Sequence, residues 1–131
     1  KGVVGGQFSM HFTAAVSAQT GNLTWDDYAK YLQDATTLSL AERIDVSEDT
    51  QMDAIYPERM GGKVTIRFRD GRSESRCVEI PQGEPENFPS ADLHQSKFLS
   101  LAEPVLGDAA IGLHDRLTSF AEMDSVDTLF G

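Results

Sequence analysis

Three histidines, one cysteine and a scatter of carboxylates and hydroxyls are the side chains in this 131-residue chain with chemistry to offer. His11, His94 and His114 lie far apart, and none has a second ligand at the spacing a metal site needs. His94 and Lys97 stand at i and i+3, so on a helix they share a face and define a candidate anion site. A solvated polar face explains the same pair and is the preferred reading. Cys77 falls among apolar neighbours on an expected strand, which points to packing rather than to a nucleophile. Glu84 and Glu86 offer carboxylates, but not at EF-hand spacing, and their loop reads as solvated. Ser9 stands where it can cap a helix. There is no GxSxG elbow, Walker loop, GxGxxG or HExxH. From these residues alone, no enzyme is demonstrable.

The elements that would position such residues centre on Gly62 to Ile80. Val64, Ile66 and Phe68 alternate with Lys63, Thr65, Arg67 and Arg69, the period of a strand with one buried face. Asp70-Gly71 supplies a turn, and a second strand follows through Cys77, Val78 and Ile80. A three-residue loop, Arg69-Asp70-Gly71 with Gly71 left-handed, puts Val78 and Ile80 on the Val64 face. A two-residue turn would put Ser73, Ser75 and Cys77 there instead. The first register buries more apolar surface and is preferred.

Around this hairpin, KGVVGG reads as a strand tail or a linker. A helix follows from Phe8 to Thr20, with Phe8, Phe12, Ala15, Val16 and Gln19 on one stripe and Gly21 as its stop. Thr24 and Asp27 suggest a capping box for a second helix, and Asp34 caps a third. Arg43–Ser47 reads as a strand, Glu48–Asp53 as a turn, and Ile55-Tyr56-Pro57 as an extended approach to the hairpin. The run from Pro81 to Pro89 is too rich in Pro and Gly for regular structure. Ser90 caps a helix carrying Leu93, Phe98, Leu101 and Ala102, which Pro104 ends or offsets. Asp108 starts the last helix, with Ala109, Ala110, Leu113, Leu117 and Phe120 on its stripe. Leu129 and Phe130 are expected to dock. The expectation is one α+β domain over residues 1–131, a small sheet centred on a hairpin at about 63–80 and packed against N- and C-terminal helices.

Eleven basic against twenty-one acidic residues give a net charge of −10, which disfavours nucleic acid and anionic membranes as partners. No apolar run approaches membrane-spanning length. A single cysteine excludes an internal disulfide and fits a reducing, cytoplasmic compartment. The chain begins at Lys1 rather than Met, and a shortened or processed product is expected.

Taken as ordered blocks, the chain resembles the C-terminal part of the MmgE/PrpD family, which includes 2-methylcitrate dehydratases, cis-aconitate decarboxylase and iminodisuccinate epimerase. The blocks are Gln7-Phe8-Ser9 opening a helix that ends at Gly21, Ile44-Asp45-Val46 before an acidic turn, Tyr56-Pro57, KVTIRFRDGR, and PQGEPENFPSADLHQSKF. The last, with its Pro-x-Gly-x-Pro-x-Asn turn, Ser-capped helix and Lys97-Phe98, is the most specific. The resemblance implies a smaller α+β domain that covers the cleft of a large helical domain lying outside this chain. It implies homodimers, no metal and no organic cofactor. Small di- or tricarboxylate substrates would be held mainly by the helical domain.

Relatives carry roughly Phe-Ser-x-Pro-Tyr at the start of this helix, facing the cleft. Here the segment is Phe8-Ser9-Met10-His11-Phe12, so His11 replaces the Pro and Phe12 the Tyr, with loss of a phenol. The resemblance makes Ser9, Phe12 and Lys97 candidates for substrate binding. Ser9 and His11 are the weak candidates for catalysis, His11 as an acid/base near neutral pH. Simple capping by Ser9 and a solvated His11 are the competing readings. The function implied is that of a cleft-covering domain in a lyase or isomerase of the 2-methylcitrate dehydratase kind, inactive by itself. The alternative is a stand-alone acidic interaction or regulatory domain.

Overall fold

A computed structural model of the chain describes residues 2–123 and 125–128, so the expectation for Leu129 and Phe130 lies outside the described residues. The chain divides into two compact units, Lys1–Ala54 and Ile55–Gly131. The architecture is α+β, with a two-stranded antiparallel hairpin among helices.

The first unit is helical: α1 (Val3–Gln7), α2 (Met10–Thr20), α3 (Trp25–Tyr31), α4 (Ala35–Ala41) and α5 (Thr50–Ala54). At the start of α2 the Ser9 hydroxyl accepts the Phe12 N–H at 3.2 Å. The helix ends at Gly21, whose φ of 79° only glycine adopts without strain. Phe12, Ala15 and Val16 are buried and form the core of the unit. Phe8, expected on that stripe, is 87% exposed, because it sits in the joint between α1 and α2.

Three local expectations are corrected here. KGVVGG is neither strand nor linker: Val3–Gln7 is helical. A Cβ on Gly6 would lie 3.0 Å from Leu32 and 3.2 Å from Tyr28, so the glycine that reads as a breaker is what lets this turn pack. Arg43–Ser47 forms no strand. Arg43 and Ile44 donate back to Leu40 and Ala41 at the end of α4, and no strand among the described residues pairs with the segment. Glu48–Asp53 is not a simple turn, since Asp49 Oδ1 accepts the Gln51 N–H at 2.9 Å and starts α5.

In the second unit, Ile55-Tyr56-Pro57 is a turn containing a cis Tyr56–Pro57 bond, not an extended approach, and Arg59 donates to the Ile55 carbonyl at 2.9 Å. β1 (Gly62–Arg67) and β2 (Ser73–Val78) then pair with Val64 opposite Arg76 and Ile66 opposite Glu74. The loop is Arg69-Asp70-Gly71: Phe68 N–H donates to the Arg72 carbonyl at 2.8 Å, and Gly71 has φ 87°. This is the register expected from the three-residue loop, with Val64, Ile66 and Phe68 sharing a face with Val78. Asp70 locks the turn by accepting from Arg72 N and Nε at 3.0 and 2.8 Å, and those bonds hold its carboxyl below the usual carboxylate range.

The face itself is not buried. Val64 is 63% exposed, Ile66 53%, Val78 52% and Phe68 38%. Turn chemistry, rather than burial, therefore holds the register within this chain. About half of the apolar burial these side chains offer, roughly 1 kcal/mol each, is unrealised. Cys77 is also exposed, opposite Lys63 on the polar face, so the expected packing role is not found.

After an irregular stretch with a 3-10 turn at Pro85–Asn87, Ser90 caps α6 (Ala91–Leu106) by accepting from Leu93 N–H at 3.3 Å. Pro104 does not end this helix, which runs on to Leu106 and stops at Gly107. Packing against α7 (Ala109–Thr118) outweighs the one bond the proline forgoes. The buried side of α7 is Ala110 and His114; Leu117 and Phe120, expected there, are 39% and 50% exposed.

At the foot of the hairpin, a Cβ on Gly61 would lie 2.7 Å from the Val78 carbonyl oxygen and 2.9 Å from Glu79 Cα, a clash with backbone that no rotamer relieves. Gly61→Ala is therefore expected to cost about 1–3 kcal/mol. Urea unfolding measures the loss, and an unchanged midpoint would contradict this close approach.

Candidate functional site

The start of α2 brings Ser9, His11 and Phe12 into one helical turn. Ser9 is fixed from both sides: its N–H donates to the Gly6 carbonyl at 3.1 Å, and its carbonyl accepts the Thr13 N–H at 2.9 Å. Its hydroxyl accepts from Phe12 N–H, a bond that leaves the hydroxyl proton free to be donated elsewhere. Capping and donation to a carboxylate are thus compatible in one side chain. His11 is exposed beside it, next to the exposed apolar side chains of Phe8 and Met10.

Phe12 has a different part. It is 5% exposed, with its ring 5.8 Å from that of Tyr28, which in turn stands 6.1 Å from Trp25. Its burial fixes the turn that presents Ser9 and His11. Lys97 belongs to the second unit, exposed on α6 with His94, and no bond between their side chains is formed.

The electrostatics of the α2 start differ from those of the chain as a whole. The first acidic residue in the sequence is Asp26, so α1, α2 and their joint carry no carboxylate in a chain of net charge −10. With no acid in its first turn, the amide end of α2 keeps its positive partial charge uncompensated. Such an end favours a negative charge over a positive one. By contrast, a cleft of about 220 Å³ at the foot of the hairpin is lined by Glu58, Glu79, Glu84 and Glu86 against Arg59, which repels an anion.

Sequence reasoning gave no role to two polar groups that prove structural. Thr37 is fully buried and bridges α2 and α4. Its hydroxyl accepts from Gln19 Nε2 at 3.0 Å and donates to Asp34 Oδ2 at 2.9 Å, while its N–H donates to the same oxygen at 2.7 Å. The Asp-x-x-Thr spacing was the available signal. His114, 8% exposed, joins α7 to α6, with Nδ1 3.5 Å from Gln95 Nε2 and its ring 5.4 Å from that of Phe98. Its Nε2 has no hydrogen-bond partner among the described residues. Among the described residues, no group of three or more His, Cys, Asp or Glu is placed to hold a metal ion, and no helix is long and apolar enough to cross a membrane.

The fold and this helix start define a small α+β domain with an anion-tolerant helix terminus and no assembled catalytic cluster among the described residues. More particularly, residues 2–118 match the family described as MmgE/PrpD C-terminal domain, and the chain belongs to that family. No curated protein and no solved structure matches it.

Hydrogen bonds from the Thr37 N–H and hydroxyl hold the Asp34 carboxyl below the usual carboxylate range. A depressed folded value means that the contribution of Asp34 is complete above the unfolded value, about 3.9, and is lost as pH falls through the folded one. Asp34→Ala is expected to lower the melting temperature at neutral pH, with the gap to the parent closing below about pH 4. Thermal scans across pH check this, and a gap that persists in acid would contradict it.

Proposed function

We propose that this chain is the cleft-covering domain of a lyase or isomerase acting on small di- or tricarboxylates, 2-methylcitrate being the first substrate to try. The observation that carries this reading is the family membership over residues 2–118. The carboxylate-free approach to α2 supports an anionic substrate.

The chemistry proposed is elimination or addition of water across a carbon–carbon bond. A base takes the proton from the carbon next to a carboxylate, the bond to the hydroxyl on the neighbouring carbon breaks, and that hydroxyl leaves as water with a proton from an acid. Ser9 donates its remaining proton to a substrate carboxylate, and the amide end of α2 favours the same charge. His11, exposed and within one turn of Ser9, exchanges the proton with the reacting groups. The remaining catalytic groups and the main cationic clamp would come from a helical domain outside this chain.

The test is turnover of 2-methylcitrate by the full-length protein that carries this chain, followed through the conjugated double bond formed on loss of water. His11→Ala is expected to lower kcat about 10²-fold with an unchanged melting temperature. Unchanged turnover would remove His11 from the chemistry. A full-length protein that neither binds nor dehydrates polycarboxylates would favour the interaction-domain reading.

A further inference from the structure

Charge is segregated along this chain, and the segregation falls on the hairpin. Residues 63–76 hold five of the eleven basic residues against two acidic ones. Both acids are already engaged: Asp70 holds Arg72 at 2.8 Å, and Glu74 stands 3.9 Å from the same guanidinium. Among the described residues these pairs leave out Arg67 and Arg69. β1 itself, from Gly62 to Arg67, carries no carboxylate.

Among the described residues, β1 is paired on one side only, with β2. The Phe68 N–H donates to the Arg72 carbonyl at 2.8 Å, which makes Phe68, Ile66 and Val64 the residues that exchange backbone bonds with β2. Lys63, Thr65 and Arg67 alternate with them, so their N–H and C=O groups point to the open edge. The 2.8 Å contact between the Thr65 and Ser75 hydroxyls agrees, because pairs without backbone bonds bring their side chains closest.

The two faces at that edge differ. On one, Lys63, Thr65 and Arg67 stand in front of Cys77, Ser75 and Ser73 of β2. On the other, Val64 and Ile66 are more than half exposed, with Arg76 and Glu74 set behind them on β2. A strand added at this edge meets the β1 column first: cations and a hydroxyl on one face, aliphatic side chains on the other. The outer edge of β2 presents no such pattern, since Glu74 and Arg76 are of opposite sign and Ser73, Ser75 and Cys77 are uncharged.

We propose that the open edge of β1 is a docking site for an extended segment of a partner protein in which acidic and apolar residues alternate. Main-chain bonds to Lys63, Thr65 and Arg67 supply the pairing, carboxylates meet Lys63 and Arg67, and apolar side chains cover Val64 and Ile66. Two β1 edges brought together would oppose like charges, so the edge selects against a second copy of this chain. Its six residues, at roughly 3.3 Å each, seat a segment about 20 Å long. No residue of the α2 start takes part, and the docking is independent of the polycarboxylate chemistry.

The test titrates the full-length protein that carries this chain into an end-blocked, fluorescent peptide alternating Glu and Val over six residues, the length of β1. Anisotropy reads binding, and amide hydrogen exchange reads pairing. The peptide is expected to bind, to weaken with salt, and to slow exchange at the Lys63, Thr65 and Arg67 amides. Methylating the peptide nitrogens that face β1 is expected to abolish binding. The exposed variant Arg67→Glu is expected to bind the peptide about tenfold more weakly, and to prefer a peptide with Lys in place of Glu. Circular dichroism confirms that the variant is folded. No binding up to about millimolar protein overturns the proposal. Binding without protection at the edge, or binding indifferent to methylation, overturns it as well. So do edge amides already slow without peptide, which would mean the edge is covered, and a single-stranded oligonucleotide that binds where the peptide does not.

Discussion

Burial of Phe12, Ala15 and Val16 is the interaction on which the rest of the first unit depends. Removing a buried aromatic of this kind costs about 3–5 kcal/mol, more than any single cap or surface pair supplies. It fixes the rotation of α2, and rotation decides which residues of its first turn face water. With Phe12 inward, His11 is left exposed and Ser9 half-buried at the cap. The polar bridge through Thr37 then holds α4 against the same helix without leaving a buried hydroxyl unsatisfied. A site built this way is positioned by the core rather than by loops.

Electrostatics divides the chain into parts with different prospects. A net charge of −10 describes none of them well. The first helices carry no carboxylate, the hairpin is cationic, and the cleft at its foot is acidic. Most of this surface repels anions in general, and the carboxylate-free α2 start does so least. On the proposed reading, the long-range field would contribute little to capture of a polycarboxylate, and local amide and hydroxyl donors would matter more.

Much of the fold was legible because local chemistry decided it. Ser9, Asp34 and Ser90 cap helices where their spacing said they would. Gly71 takes the left-handed position of a three-residue loop, which sets every pair in the hairpin. Legibility ended where tertiary contacts overrode local preference. Ile44 and Val46 have strand-forming character but no partner strand among the described residues, and Pro104 stays helical because α6 packs on α7. Gly6 looks like a breaker until the side chains it makes room for are known. At the candidate site, the inward turn of Phe12 was legible from its place on one stripe with Ala15 and Val16, whereas the exposure of Phe8 on the same stripe was not, because the joint between α1 and α2 decides it. The charge segregation was present in the sequence but was averaged away in the net value.

The central claim is that the start of α2 receives a polycarboxylate. Amide hydrogen exchange of the full-length protein, with and without 2-methylcitrate, addresses it directly, because the N–H groups of the first turn are the proposed anion donors. The account predicts slower exchange at Met10 and His11 when the substrate is bound, since the Phe12 N–H is already held by the Ser9 hydroxyl. Protection confined to other segments, with this turn unchanged, would contradict it.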